Sequence, residues 1–340
     1  MKAISFQKAL RLEPETNRRH LLLGNGFSIA CRHDIFTYGA LFERADFSAL
    51  GPEVRAAFDR LGTTDFEDVM RTLTSASKLI RLYKPGDEVL ADRLTHDANA
   101  LREVLANAIA QSHPDHPFEI DAHEYAACRH FLSDFKSIYT VNYDLLLYWT
   151  IMQEELEPSL KFDDGFRTPD SGPQDYVTWE VEKTDNQNVH YLHGALHIFD
   201  AGHEIKKYTW VNTGERLINQ IRAALAANMF PLIVAEGGSE QKLAHINHSN
   251  LLSRSYRSFA KIANTLFIFG HSLGDKDQHI LDMITKNRHI NTLAVGIFGD
   301  PKSKKGKRLA ARAEALATGR PSKWPLRVVF FDSKSADVWG

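Results

Sequence analysis

The chain has 340 residues, of which 43% are hydrophobic and 25% charged, values that exclude a disordered chain, a collagen-like fibre and a coiled-coil rod. Its length suggests two domains, or one large α/β domain with an insertion, and is enough to bury a core without staples. Lys and Arg number 41 against 43 Asp and Glu, for a net charge of −2, so a whole-chain basic footprint for nucleic acid is absent.

Two cysteines, Cys31 and Cys128, cannot form a four-thiolate zinc site or a disulfide framework. No apolar run approaches the ~20 residues that span a bilayer, and the opening residues lack a signal-peptide pattern. The expectation is a cytoplasmic protein with no membrane association and no nucleic-acid partner.

The first strand is predicted at 20–23, a short apolar run that stops at Gly24. Thr64 and Glu67 read as a capping box, with Thr64 as N-cap, for a helix carrying Phe66, Val69, Met70, Leu73 and Ile80. Two more helices are expected at about 87–112 and 121–135. A strand at 138–141 leads into a helical segment at 144–153, and 161–187 reads as a long surface loop. A strand follows at 189–192, then a hairpin from 196–199 and 206–210, a helix at about 215–227 and a strand at 231–235. Helical material at about 239–263, a strand at 266–269, a helix at about 277–286, a strand at 293–298, a basic helix at about 304–317 and a strand at 327–331 complete the pattern. Alternation of strand and helix predicts a Rossmann-like, mostly parallel sheet with helices on both faces. The block at about 35–135 has helices and almost no strand, as expected of a helical lobe inserted between the first two strands and capping a cleft.

Five strand ends carry polar motifs, and ligands in open α/β sheets bind at the carboxyl ends of strands. Gly24-Asn25-Gly26-Phe27-Ser28 follows the first strand; it could cradle a diphosphate, with Ser28 as hydroxyl donor, or be a tight turn with a glycine at positive φ. Asn142 and Asp144 follow Thr140 at the second strand's end; helix capping explains one of them more easily than both. His193 stands before Gly194 and could be a general base, although with 16 histidines most are surface or packing residues. His190 and His193 lie on opposite strand faces, which argues against a shared metal. In Gly270-His271-Ser272-Leu273-Gly274-Asp275-Lys276-Asp277, glycine and serine suit a phosphate and Asp275 or Asp277 suits ribose hydroxyls; the same residues also suit a turn and an N-cap. Gly296 to Asp300 could hold the adenosine end of a dinucleotide, or simply turn.

In this order the motifs resemble the sirtuin-like superfamily, over short islands between Leu21 and Asp300. The islands are Gly24 to Ser28, Thr140 to Asp144, His193-Gly194 and Gly270 to Leu273. No cysteine follows Cys128, so the four-cysteine zinc module of sirtuin deacylases is missing; Val141 stands where sirtuins have Gln, and Phe36 to Gly39 replaces their Gly-Ile-Pro-x-Phe-Arg segment. The pattern looks more like the bacterial sirtuin-like effectors that consume NAD in antiviral, abortive-infection defence. The resemblance implies an NAD+ glycohydrolase, with NAD as substrate and no metal required. Asn142 would hold the ribose or the attacking water, Asp144 the nicotinamide carboxamide, and His193 would accept a proton. It also implies NAD contacts from Gly24, Asn25, Gly26, Phe27, Ser28, Gly270, His271, Ser272, Asp275 and Asp277. A protein deacylase or ADP-ribosyltransferase, and a non-catalytic sensor of NAD or ADP-ribose-type nucleotides, are the alternatives. An unrestrained hydrolase would harm its host, so control by a partner protein, by oligomerisation or by a nucleotide signal is expected. The helical lobe and the basic segment 302–312 are candidate contact surfaces, the latter also readable as a solvated helix face.

Overall fold

The computed structural model describes residues 3–209, 215–227, 229–235 and 239–340. Ten strands occur among them: β1 (Arg19–Leu23), β2 (Ser137–Thr140), β3 (Phe166–Arg167), β4 (Tyr176–Trp179), β5 (Val189–Tyr191), β6 (Ile198–Asp200), β7 (Ile205–Tyr208), β8 (Asn264–Phe269), β9 (Ile290–Ile297) and β10 (Arg327–Asp332). Six form one sheet in the order β10-β9-β8-β1-β2-β5, with every pairing parallel. Counted within this sheet alone, the order is that of a Rossmann-type doubly wound fold, and it reverses direction beside β1, between β1 and β8.

β1 sits near the centre and is buried along its whole length, as a strand covered on both faces must be. Leu21 and Leu23 join the larger apolar cluster, while Leu22 joins a second cluster on the opposite face, following the period-two alternation of a strand. On the first face, the Ala122–Ser133 helix brings Phe131 against Phe6 and Phe269. On the second, the helices Gln278–Lys286 and Lys304–Thr318 contribute Ile280, Ile284, Ala310 and Ala313.

Between β1 and β2 the chain is helical throughout its regular structure, and the Phe66–Tyr83 and Glu88–Ser112 helices pack lengthwise on each other. The Phe66–Tyr83 helix is capped by Asp65, whose side chain accepts from the Glu67 N–H, so the cap lies one residue beyond the expected Thr64. Thr63 in turn accepts from the Asp65 N–H, fixing the extended backbone that a cap residue needs.

Two expectations need correction. The segment 161–187 is not only loop: it supplies β3 and β4 of a second, antiparallel sheet ordered β3-β4-β7-β6, whose other half is the expected hairpin. Trp210, placed in that hairpin, lies outside the described residues. The segment 231–235 is not a strand; it makes one isolated bridge, Ile233 to Gly194. The helical material expected at about 239–263 is present as two helices, Ser239–His248 and Asn250–Phe259, divided by Ser249, which caps the second.

Candidate functional site

The loops after β1, β2, β5 and β8 meet at the carboxyl end of the parallel sheet and border a cleft of about 560 Å³. Its floor holds Asn25, Gly26, Asn142, Asp144, His193, Gly270, His271, Ser272, Asp275 and Asp277. The opposite wall comes from the helical block: Tyr38, Asp65, Phe66, Glu67 and Arg71, with Leu105 and Ile109 behind them. Of the expected ligand contacts, Gly24, Phe27 and Ser28 do not line the cleft. Phe27 is buried against Trp339, whose indole N–H donates to the Phe27 carbonyl.

The glycines after β1 and β8 exist for one another. A Cβ on Gly26 would lie 2.5 Å from Gly270 Cα, and one on Gly24 would lie 2.7 Å from His271 Cα. The Gly24 and Gly26 N–H groups donate to Phe269 and Gly270 carbonyls, and the Phe27 N–H donates to the Gly24 carbonyl. Gly270 adopts a φ of 71°, open to glycine at no steric cost. The two turns interlock, and three amides expected to face a phosphate are used inside the protein.

Asn142 is held by its nitrogen. Its Nδ2 donates to the Gly24 carbonyl at 3.1 Å and to Ser28 Oγ at 3.0 Å. Ser28 Oγ donates to Asp144 Oδ2 at 2.5 Å, and Asp144 Oδ1 accepts from the Leu146 N–H. Both carboxylate oxygens of Asp144 are therefore engaged, and burial raises its pKa above the usual range. The amide's two N–H bonds are spent, whereas Asn142 Oδ1 is buried with no partner. A buried acceptor left open in this way calls for a water or a ligand hydroxyl.

His193 follows β5. Gly194 adopts a φ of 77° and lets the Leu232 carbonyl approach to where a Cβ would collide at 1.7 Å, which explains the His-Gly pair structurally. Val234 donates back to the His193 carbonyl. The His193 ring meets His279, Nε2 to Nε2, at 2.9 Å. Burial drives the His193 pKa well below its ordinary value, with Lys242 adding to the effect, and burial lowers His279 to about 4. Both rings are neutral at pH 7, and in either tautomer of the pair one ring nitrogen stays open to a proton.

Beside this pair lies a buried ion cluster. Lys242 is fully buried, with its Nζ 2.8 Å from Glu67 Oε2 and 3.2 Å from Asp277 Oδ1. Lys276 reaches Asp65 at 2.6 Å and the Tyr38 hydroxyl at 3.1 Å. His271 Nδ1 accepts from the Leu273 N–H, which places its proton on Nε2, 3.0 Å from Asp277 Oδ2. Burial pushes Asp277 and Glu67 upward, but Lys242 pulls both below the usual carboxylate range, helped by the His271 hydrogen bond at Asp277 and by Lys276 at Glu67. His193, Asp277 and His279 bring ligand atoms within 4.8 Å of one another, a spacing a metal ion could bridge. Here, however, the Lys242 ammonium already supplies positive charge to Asp277, and the 2.9 Å contact between the two imidazoles is that of a hydrogen bond.

Residues 21–339 match the family described as Domain of unknown function (DUF4917). The chain belongs to that family. No curated protein matches it. No helix among the described residues is long and apolar enough to cross a membrane.

Sequence reading did not find Lys242, Glu67 or His279 as site residues. Glu67 was read only as part of a helix cap, and Lys242 and His279 sit inside helices with nothing local to distinguish them from solvated positions. Within the basic segment 302–312, read as a contact surface or a solvated helix face, exposed Arg308 and half-buried Arg312 line the cleft.

Proposed function

We propose that this protein is an NAD+ glycohydrolase, releasing nicotinamide and ADP-ribose, that works as a regulated effector. The observation that carries the reading is Asn142. With both amide hydrogens committed, its buried Oδ1 is the one open acceptor of that side chain on the cleft floor. It would accept a hydrogen bond from a ribose hydroxyl or from the attacking water. The nicotinamide–ribose bond breaks through an oxocarbenium-like state, as in glycoside cleavage. The C1′–N bond then leaves its electron pair on neutral nicotinamide, a water oxygen bonds to C1′, and the water's proton passes to a neutral imidazole.

His193 and His279 supply that imidazole as a pair. Positioning and base assistance each contribute orders of magnitude to such a step. Asp144 acts through Ser28 to hold Asn142, since neither of its oxygens is free for the carboxamide. As an effector the enzyme would be held in check by a partner protein, oligomerisation or a nucleotide signal.

The test is incubation with NAD+ and chromatography of products. Nicotinamide and ADP-ribose should form in equal amounts, and Asn142→Ala and His193→Ala should abolish both while keeping the wild-type circular dichroism. Binding of NAD+ without turnover, with and without cell extract as a source of activator, would overturn the hydrolase reading.

A further inference from the structure

The interlocked turns raise a question about any dinucleotide in this cleft. The amides of Gly24, Gly26 and Phe27 donate to protein carbonyls, and the helix they open, Gly26–Cys31, has only six residues. A diphosphate carries two negative charges and needs cationic or N–H donors. The cluster on the cleft's inner side offers none: Lys242 and Lys276 are bound to Glu67, Asp277 and Asp65.

Two cations at the rim are open. Arg308 and Arg312 project from the Lys304–Thr318 helix, one turn apart and hence on one face. That helix packs on β9 and β10, across the switch point from Asn142 and His193. Arg312 Nη1 donates to the Ser272 carbonyl at 3.2 Å, which ties it to the turn after β8. Neither guanidinium is paired with a carboxylate among the described residues. Asp275 lines the same side of the cleft and is exposed, so the rim there carries two positive charges against one negative. Asn142, Arg308 and Arg312 line one cleft, so a dinucleotide with its nicotinamide ribose at Asn142 that extends across the switch point would bring its diphosphate to this rim.

We propose that Arg308 and Arg312 form the diphosphate-binding site of the cleft, in place of the glycine turn. The proposal rests on the dinucleotide reading above but not on turnover. A planar guanidinium offers paired donors to a phosphate, and two of them one turn apart match two linked phosphates. Arg308 is exposed and lines the cleft without a side-chain hydrogen bond or ion pair to the described residues, so its guanidinium is free to turn inward.

The experiment is isothermal titration of the full-length protein with ADP-ribose and with NADP+, alongside NAD+ hydrolysis kinetics. Arg308→Gln with Arg312→Gln should weaken ADP-ribose binding by about tenfold or more, the range expected for lost charged hydrogen bonds. It should raise KM for NAD+ by a similar factor and leave kcat within about twofold. Arg308→Gln alone, at an exposed side chain with no hydrogen bond or ion pair to the described residues, should show a partial loss with an unchanged Tm, and Arg308→Lys should recover part of it. An ADP-ribose affinity within twofold of wild type in the double variant overturns the proposal. So does a loss confined to NADP+, which would assign the pair to a ribose phosphate, and so does a wild-type protein that binds no ADP-ribose. If wild type binds ADP-ribose in an arginine-dependent way but releases no nicotinamide, the hydrolase reading falls and this site stands. Hydrolysis with an unchanged KM in the double variant has the reverse meaning.

Discussion

The two walls of the cleft are held by different chemistry. On the sheet side, Asn142, Ser28 and Asp144 form one hydrogen-bond chain drawn from two neighbouring loops. Under the helical block, Glu67, Lys242 and Asp277 form an ion cluster drawn from three segments far apart in the chain. A short hydrogen-bond chain can lose a member and keep its remaining bonds. A buried ion cluster has to be complete, because each charge is stable in the interior only through its partners. The cluster adds a polar link between the helical block and the loops of the sheet, beside the apolar core that the two share.

The largest expected effect follows from that contrast. Lys242→Met leaves Glu67 and Asp277 buried without their shared cation and should cost about 3–5 kcal/mol. It would be read as a lowered urea midpoint at constant m-value. Adding Glu67→Gln to Lys242→Met should cost less than the sum of the two single changes, since the residues are coupled. A loss under about 1 kcal/mol would place this cluster with surface ion pairs and erase the distinction between the walls.

Acid should separate the walls next. Glu67 and Asp277 sit below the ordinary carboxylate range because Lys242 overrides burial. Their contribution is present above the unfolded pKa and is lost as pH falls. His193 and His279 are kept neutral by burial, His279 down to about 4. They stabilise the fold above the unfolded value near 6.5 and lose that contribution as pH falls below it, at up to about 1.4 kcal/mol per pH unit for each proton taken up. Asp144 has the opposite sign: burial raises its pKa, so its charged form is a burden that acid relieves. Tm should therefore drop between pH 7 and pH 5. Asp277→Asn should be the more damaging change at pH 7, and its gap from Asp144→Asn should narrow once the pH falls below the unfolded carboxylate range of about 4. A gap independent of pH would mean that the walls titrate alike.

The sheet was legible because each of its strands is a short apolar run closed by glycine or polar residues, and because a parallel sheet sends its carboxyl-end loops to one side. That geometry is why Asn142, Asp144 and His193, read from separate motifs, line one cleft. The second sheet was not legible where β3 is two residues long, although Tyr176 to Trp179 carried β-branched and aromatic residues that mark a strand. Gly24, Gly26 and Gly270 read as ligand contacts, and they also pack turn against turn, with Gly26 and Gly270 still lining the cleft; that packing becomes visible only when residues about 245 positions apart in the chain are brought together. Lys242 is invisible for the same reason: Glu67 is 175 residues away. The basic helix was read by its composition, and the helical period then turned two of its arginines into the cleft.

Ser28→Ala tests the sheet wall and should have the smallest effect on stability. The serine is fully buried, accepts from Asn142 and donates to Asp144. Its removal takes one bond from each neighbour, yet Asn142 keeps the Gly24 carbonyl and Asp144 keeps the Leu146 N–H. The cost should therefore lie near about 1–3 kcal/mol, the usual penalty for leaving buried groups short of a partner. The consequence for the proposed NAD+ hydrolysis should be larger than the stability loss suggests, because Asn142 would no longer be held at both amide hydrogens and its Oδ1 would be free to swing. A double-mutant cycle of Ser28→Ala with Asp144→Asn checks this. Coupling of about 0.5–3 kcal/mol is expected if the three side chains act as one chain. Additive losses in stability and rate would show instead that Asp144 caps its own helix and has no part in positioning the amide.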